Sequence, residues 1–210
     1  MPWASLSSPF TTSGGNSMIV DVAGYTDMTI LGATRDDAAG ECFDKIARVL
    51  GLPYPGGKPM EELAKEGDPA KYPLPRAKVA GNDLDMSFSG LKTAAVNLVH
   101  NASQKGEELD RASLAASVAA AISGELVPRA MEAARRTGRK TLAAAGGVAA
   151  NRTIRGDLER ACRENGLKLY LPPLSLCGDN GAMIGSQAYY EYLAGNRGDT
   201  ALNAYANLEI

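Results

Sequence analysis

From Ser17 to Ala33 apolar and polar positions alternate in two short β-branched runs, SMIVDVA and DMTILGA, separated by GYT. That pattern predicts an antiparallel hairpin. At Arg35 the period changes. In RDDAAGECFDKIARVLG, Phe43, Ile46, Ala47 and Leu50 recur at helical spacing, with Asp36 or Asp37 placed to cap the start and Gly51 to end it. LPYPGGKP is a loop, because Pro53, Pro55 and the Gly56–Gly57 pair break either regular structure. Residues 60 to 86 are polar and marked by proline, with one short helix expected at MEELAKEG. SFSGLKTAAVNLVHNA offers a serine cap and sets Leu91, Ala95 and Leu98 on one face. A further helix is expected from about Arg111, where Leu114, Val118, Ile122 and Leu126 recur every four residues until Pro128 bends or breaks it.

The last third alternates. KTLAAAG reads as a buried strand and NRTIRGDLERACREN as a helix with Ile154, Leu158 and Cys162 inward, closed by Gly166. LKLYLPP reads as a strand and NGAMIGSQAYYEYLAG as a helix. Strand and helix in alternation predict right-handed βαβ units and a parallel sheet. A hairpin feeding such units predicts an α/β fold with a mixed sheet and flanking helices.

Composition narrows the function classes. Hydrophobic residues make up 45% of the chain and charged residues 22%, the balance of a globular protein. The net charge of −2 gives no field that would gather nucleic acid, so an RNA contact would need a local basic patch. No apolar run approaches the roughly 18 residues of a membrane span. MPWASLSSPF lacks the basic and apolar segments of a signal peptide. Cys42, Cys162 and Cys177 are widely spaced and form no CxxC pair, which points to free thiols in a reducing cytoplasm. With His100 as the single histidine, a His-rich metal site cannot be completed by this chain alone.

Several short motifs carry possible chemistry. TSGGNS (Thr12 to Ser17) and AGGVAANRT (Ala145 to Thr153) put glycine pairs beside strands, where backbone N–H groups can approach a ligand or simply turn the chain. Neither is a Walker loop or a GxGxxG fingerprint. Asn151 can cap a helix or touch a ligand. Asp44 is either a solvated partner of Arg48 or a carboxylate that accepts ribose hydroxyls. Gly57 either turns the chain or presents its backbone. Asp179, in LSLCGDNGAMIG, is either a helix cap or one arm of an ion site, which would need about three protein ligands. Cys177 is a soft ligand or a buried thiol. Lys92 and RRTGRK (Arg135 to Lys140) can meet RNA phosphate or form ordinary solvated faces.

The order of these blocks is more specific than any one of them. SGG, DDAAGE.FDK..R.LGLPYPGG, LD.SFSGLKTA, AGGVAANR..R and CGDNGAMIG together resemble the tRNA N6-adenosine threonylcarbamoyltransferases, formerly called O-sialoglycoprotein endopeptidases. The resemblance runs from about Pro9 to the C-terminus and leaves 1–12 as an atypical segment ahead of the transferase part, 13–210, with a helical insertion at about 59–135. It implies an actin/Hsp70/sugar-kinase-like fold of two ribonuclease-H-like lobes, the first largely missing here. It implies transfer of threonylcarbamoyl from threonylcarbamoyl-AMP to N6 of the adenosine beside the tRNA anticodon, with this chain inactive by itself. Ser13, Gly14 and Gly15 fall on the phosphate-side loop, Asp44 and Gly57 on nucleoside positions, and Asn151 on a substrate contact with Gly146 and Gly147 beside the adenine. Asp179 falls on a ligand of iron or zinc, the other ligands being expected from the first lobe. Asn16 stands where the family has histidine. A paralogous subunit and a small ATPase are the further partners implied, and no membrane. The alternative is a non-catalytic scaffold lobe of the same fold that binds proteins. A small-molecule kinase fits the blocks less well, and a metalloprotease has no HExxH to work with.

Overall fold

The computed structural model of the chain describes residues 9–12 and 16–203. Ser13, Gly14 and Gly15 lie outside them. Among the described residues one mixed sheet runs in the order β3-β2-β1-β4-β5. Its strands are β1 (Pro9–Thr12), β2 (Ser17–Val22), β3 (Met28–Ala33), β4 (Thr141–Ala145) and β5 (Lys168–Tyr170). The expected hairpin is β2–β3, antiparallel, with Val22 opposite Met28 and a register shift between Ile19 and Val20. The expected parallel βαβ unit is β4, α5 (Arg152–Glu164) and β5, with Leu142 opposite Leu169.

The strand β1 lies within the 1–12 segment. Residues 9–12 form the middle strand, antiparallel to β2 with Phe10 opposite Ile19 and parallel to β4 with Phe10 opposite Ala144. Four residues containing a proline carry no readable period. Their pairing with β4 spans most of the sequence, so only the tertiary fold defines this strand.

Among the described residues there are five further helices: α1 (Ala39–Val49), α2 (Gly57–Ala64), α3 (Ser89–Lys105), α4 (Arg111–Thr137) and α6 (Gly181–Ala194). The inward faces follow the sequence pattern. Phe43, Ile46 and Ala47 of α1, Leu91 and Ala95 of α3, and Ile154, Leu158 and Cys162 of α5 are all buried. Each fully buried Ile or Leu contributes about 1.5–3 kcal/mol relative to exposure. Helix α4 is the core helix, packed on both α2 and α5. It is also long and apolar enough to cross a bilayer by length and composition, which corrects the statement that no segment approaches that limit. Two thirds of that stretch (67%) is buried inside the fold, as a core helix requires.

Of the two outcomes expected at Pro128, a bend or a break, the break does not occur: α4 runs on through it to Thr137. Pro128 removes one N–H and crowds the preceding turn, at a cost of about 3 kcal/mol. Buried Leu126, Val127 and Ala130 on either side offset that cost, and Arg129 Nη1 donates to the Glu125 carbonyl at 2.9 Å.

The starts of α1 and α3 are capped from a distance. Neither Asp36 nor Asp37 caps α1. Its first amide, Ala39 N–H, donates to Ser17 Oγ of β2 at 2.9 Å. Asp36 instead serves α3: Oδ1 accepts from Phe88 N–H at 2.8 Å and Ser89 N–H at 3.2 Å, and Oδ2 accepts from the Ser87 and Ser89 hydroxyls. The expected serine cap of α3 is thus replaced by an aspartate some fifty positions earlier (|i−j| of 52 for the Phe88 bond). Asp37 takes Lys45 Nζ at 2.7 Å and Lys92 Nζ at 2.5 Å. Burial works against its ionisation, but the bonds from Lys45 and Lys92 outweigh burial and hold its pKa below the ordinary carboxylate value.

Candidate functional site

A cleft of about 770 Å³ opens where α1, α2 and the β4–α5 junction meet. That volume suits a small organic ligand. Helix α1 supplies Asp44. Its neighbours Phe43, Ile46 and Ala47 are packed in the core, which fixes the turn on which Asp44 stands at the cleft. The Pro53–Gly57 loop closes down on α1 so tightly that a Cβ on Gly56 would lie 2.4 Å from Ala47 Cβ. At that approach Gly56 N–H donates to Asp44 Oδ1 at 2.7 Å. Gly57 then opens α2 with open space where its Cβ would stand, on the cleft side.

One turn later on α2, Glu61 also lines the cleft. Its Oε1 accepts from Arg152 N–H at 2.9 Å and pairs with Arg152 Nε at 3.4 Å. Across the cleft, β4 ends at Ala145, Gly146 follows with a φ of 90° that suits glycine, and a 3-10 turn runs over Gly147–Ala150. Asn151 is buried, and its Oδ1 accepts from Thr153 N–H at 3.0 Å and Ile154 N–H at 3.3 Å. It therefore caps α5 and lines the cleft at once. Leu174 and Ser175 form the outer wall. The lining combines an apolar surface (Phe43, Val148, Leu174) with the three carboxylates Asp44, Glu61 and Glu62 and the cations Lys58 and Arg152. A ligand with a flat apolar body and hydroxyl groups matches that combination.

Of the residues singled out in the sequence, Asp44, Gly57, Gly147 and Asn151 come together here. Gly146 adjoins the turn without lining the cleft. Asp179 is exposed and stands apart from the lining, and it does not cap α6. That role falls to Asn180, whose Oδ1 accepts from Met183 N–H at 3.1 Å. Cys177 is a buried thiol, 3% exposed. Lys92 is spent on Asp37 and is no free contact for phosphate. In RRTGRK, Arg135 and Arg136 pair with Glu132, Arg136 also with Asp83, and Arg139 with Asp21 at 2.8 Å, so most of that cationic charge is met within the chain. His100 is exposed on α3.

The sequence model of the TsaD family, tRNA N6-adenosine threonylcarbamoyltransferase, matches residues 9–186. The chain belongs to this family. Curated members of the same name are 50% identical over 198 residues in Moorella thermoacetica, 46% over 199 residues in Geobacillus thermodenitrificans and 44% over 198 residues in Clostridium botulinum strain 657. Each alignment takes in 94% of this chain, which spans 58% of the length of these relatives. Among solved structures, full-length HypF in its phosphate- and nucleotide-bound form superposes with a TM-score of 0.65 at 12% identity, over 89% of this chain and 33% of that one. HypF of T. kodakarensis superposes with a TM-score of 0.54 at 23% identity, over 81% of this chain and 21% of that one. At such identities the likeness establishes the fold, which is of the actin/Hsp70/sugar-kinase class.

Within this TsaD-family chain the residue that sequence reading missed is Glu61. The signal was available. Gly57 and Glu61 are four apart at the start of one helix and so share a face. One of three glutamates in MEELAKEG, Glu61 looks like any solvated charge until Arg152 and the cleft are placed beside it.

Proposed function

We propose that the cleft takes the adenylate part of threonylcarbamoyl-AMP, and that the chain serves transfer of the threonylcarbamoyl group to N6 of an adenosine in tRNA. The observation that carries this reading is the convergence of Asp44, Gly57, Gly147 and Asn151, drawn from separate sequence blocks, on one cleft. Family membership and the nucleotide-bound state of HypF, whose fold this chain shares, support it. In the reaction the adenosine amine attacks the carbonyl carbon of the mixed anhydride, the bond to the phosphate oxygen breaks, AMP leaves and the amine loses a proton. The leaving group is already good, so the protein's part is to position the two reactants. Asp44, steadied by Gly56 N–H, accepts a ribose hydroxyl, with Glu61 as the second acceptor. Gly147 lets the base approach the backbone of the 3-10 turn.

The described residues do not by themselves make a metal site. No group of three or more His, Cys, Asp or Glu among them is placed to hold an ion, and Asp179 is one exposed carboxylate where about three ligands are needed. Asp179 is at most one arm of the expected iron or zinc site, and the nucleotide reading rests on the cleft alone.

Calorimetric titration of the chain with AMP tests the reading. The wild-type chain binds, and Asp44→Asn folds normally but binds at least about tenfold more weakly, the loss expected for one charged hydrogen bond. Absence of binding to both AMP and threonylcarbamoyl-AMP, or unchanged affinity in Asp44→Asn, overturns it. One observation favours the scaffold reading instead: α6 has no buried residue and exposes Met183, Ile184, Tyr189, Tyr192 and Leu193. Exposed apolar patches of this kind mark association surfaces.

A further inference from the structure

We infer that Arg155 is a positioning residue for the cleft: its guanidinium ties the 3-10 turn Gly147–Ala150 on one wall to the turn Leu174–Leu176 on the other. Arg155 stands in the first turn of α5. Its Nη1 donates to the Ala149 carbonyl at 3.0 Å and to Cys177 Sγ at 3.7 Å, and its Nη2 donates to the Pro172 carbonyl at 2.9 Å. Ala149 belongs to the turn that brings Gly147 and Val148 to the cleft. Pro172 and Cys177 bracket the turn that brings Leu174 and Ser175.

The outer turn needs such a tie. Leu174 and Leu176 are 63% and 47% exposed, so apolar packing does not fix their position, and only Cys177 is sunk into the fold. The three acceptors lie in different segments and are met by two nitrogens of one rigid plane. A guanidinium fork holds that geometry, whereas an ammonium on a flexible stem carries the same charge without it. The width of the cleft at its outer wall is thereby set by a residue that does not line it.

The test uses the whole chain with Arg155→Lys and Arg155→Gln. The first readout is amide exchange at Leu176 and Cys177, whose N–H groups bond to the carbonyls of Pro173 at 2.9 Å and Leu174 at 3.3 Å. The second is AMP affinity, which rests on the nucleotide reading above. Both variants keep the wild-type circular dichroism. Protection at 176 and 177 falls at least about tenfold while that of the α5 interior is unchanged, and AMP binds about tenfold more weakly, as a displaced wall predicts. Methylguanidine added to Arg155→Gln restores part of both, a rescue that general destabilisation would not allow. Wild-type protection and affinity in Arg155→Lys overturn the inference, and so does loss of the fold in both variants, which makes Arg155 a stability residue. If the wild-type chain binds no AMP, the nucleotide reading fails by itself and the exchange data still decide for or against Arg155.

Discussion

Gly56 and Gly57 are adjacent and chemically identical, yet replacing each by alanine has opposite consequences. At Gly56 the backbone is ordinary αR (φ −72°, ψ −21°), so alanine brings no conformational strain. The cost is contact. The new methyl lies 2.4 Å from Ala47 Cβ and 3.0 Å from Asp44 Cα, where carbons settle at about 3.5–4.0 Å. Ala47 is buried in the core face of α1 and cannot retreat. The loop must rise by an ångström or more, and the 2.7 Å bond from Gly56 N–H to Asp44 Oδ1 then passes beyond hydrogen-bonding range. Crowding costs about 1–3 kcal/mol and loss of a bond to a charged acceptor about 1.5–3 kcal/mol. Because Asp44 is only half-buried, the lower ends apply, giving about 2.5 kcal/mol in all. For a chain of this size that lowers Tm by about 5–10 °C. Gly57→Ala meets no atom within 4 Å and leaves Tm unchanged, but its methyl enters the cleft and weakens AMP binding. Thermal melts followed by circular dichroism, with parallel AMP titrations, separate the two. Gly56→Ala melting within about 2 °C of wild type, or Gly57→Ala falling as far as Gly56→Ala, refutes the reasoning.

Ser17→Ala removes the acceptor of Ala39 N–H inside the core; Ser17 is 1% exposed, so an unpaired buried amide should cost about 1–3 kcal/mol, read from urea midpoints at constant m-value. Acid should loosen the α1–α3 junction. For Asp36, burial opposes ionisation, but the Ser87 and Ser89 hydroxyls and the Phe88 and Ser89 amides outweigh it; Asp37 is held low by Lys45 and Lys92. Both folded-state pKa values lie below the ordinary 3.8, so the stability they add is complete above that pH and is lost as pH falls through the folded values. Asp36→Asn should flatten the pH dependence of Tm below about pH 4, and an unchanged slope counts against the distant cap. Burial pushes the Cys42 thiol up to about 12 and Cys162 up to about 11. The native chain at pH 8 should react slowly with a thiol reagent at both, and all 3 cysteines quickly in denaturant; fast native labelling of Cys42 contradicts the packed α1 face.

Much of this architecture was legible because it is periodic and local. The β2–β3 hairpin, the inward faces of α1, α3 and α5, and the parallel β4–β5 pair all follow from patterns in neighbouring stretches of the chain. What was not legible is long-range and polar. Asp36 looks like the cap of the helix that follows it, and nothing nearby says that it serves Phe88 and Ser89. Ser17 looks like a strand start, yet it receives the first amide of α1. Pro128 looks like a break because the packing of α4 on two neighbours, which keeps the helix whole, is invisible along the chain. Asp179 and Asn180 are both good caps by type, and only backbone geometry chooses between them.

The same division governs the cleft. Each lining segment comes from a local signal: a mid-helix carboxylate, a proline–glycine loop, a glycine-rich strand end, an asparagine before a helix. Their assembly depends on cross-links with no signature in the sequence. Gly56 N–H holds Asp44, Glu61 holds the first amide of α5, and Arg155 holds the turns 147–150 and 174–176 together. These polar bonds join α1 to the loop, α2 to α5, and α5 to the outer turn, so the walls of the cleft are linked by a series of hydrogen bonds laid over the apolar core. A substitution at Glu61 or Arg155 should therefore act on ligand affinity with little loss of fold, because the core beneath is intact. A substitution at Ile154 or Leu158, both fully buried, should remove several kcal/mol of stability and take the cleft with it.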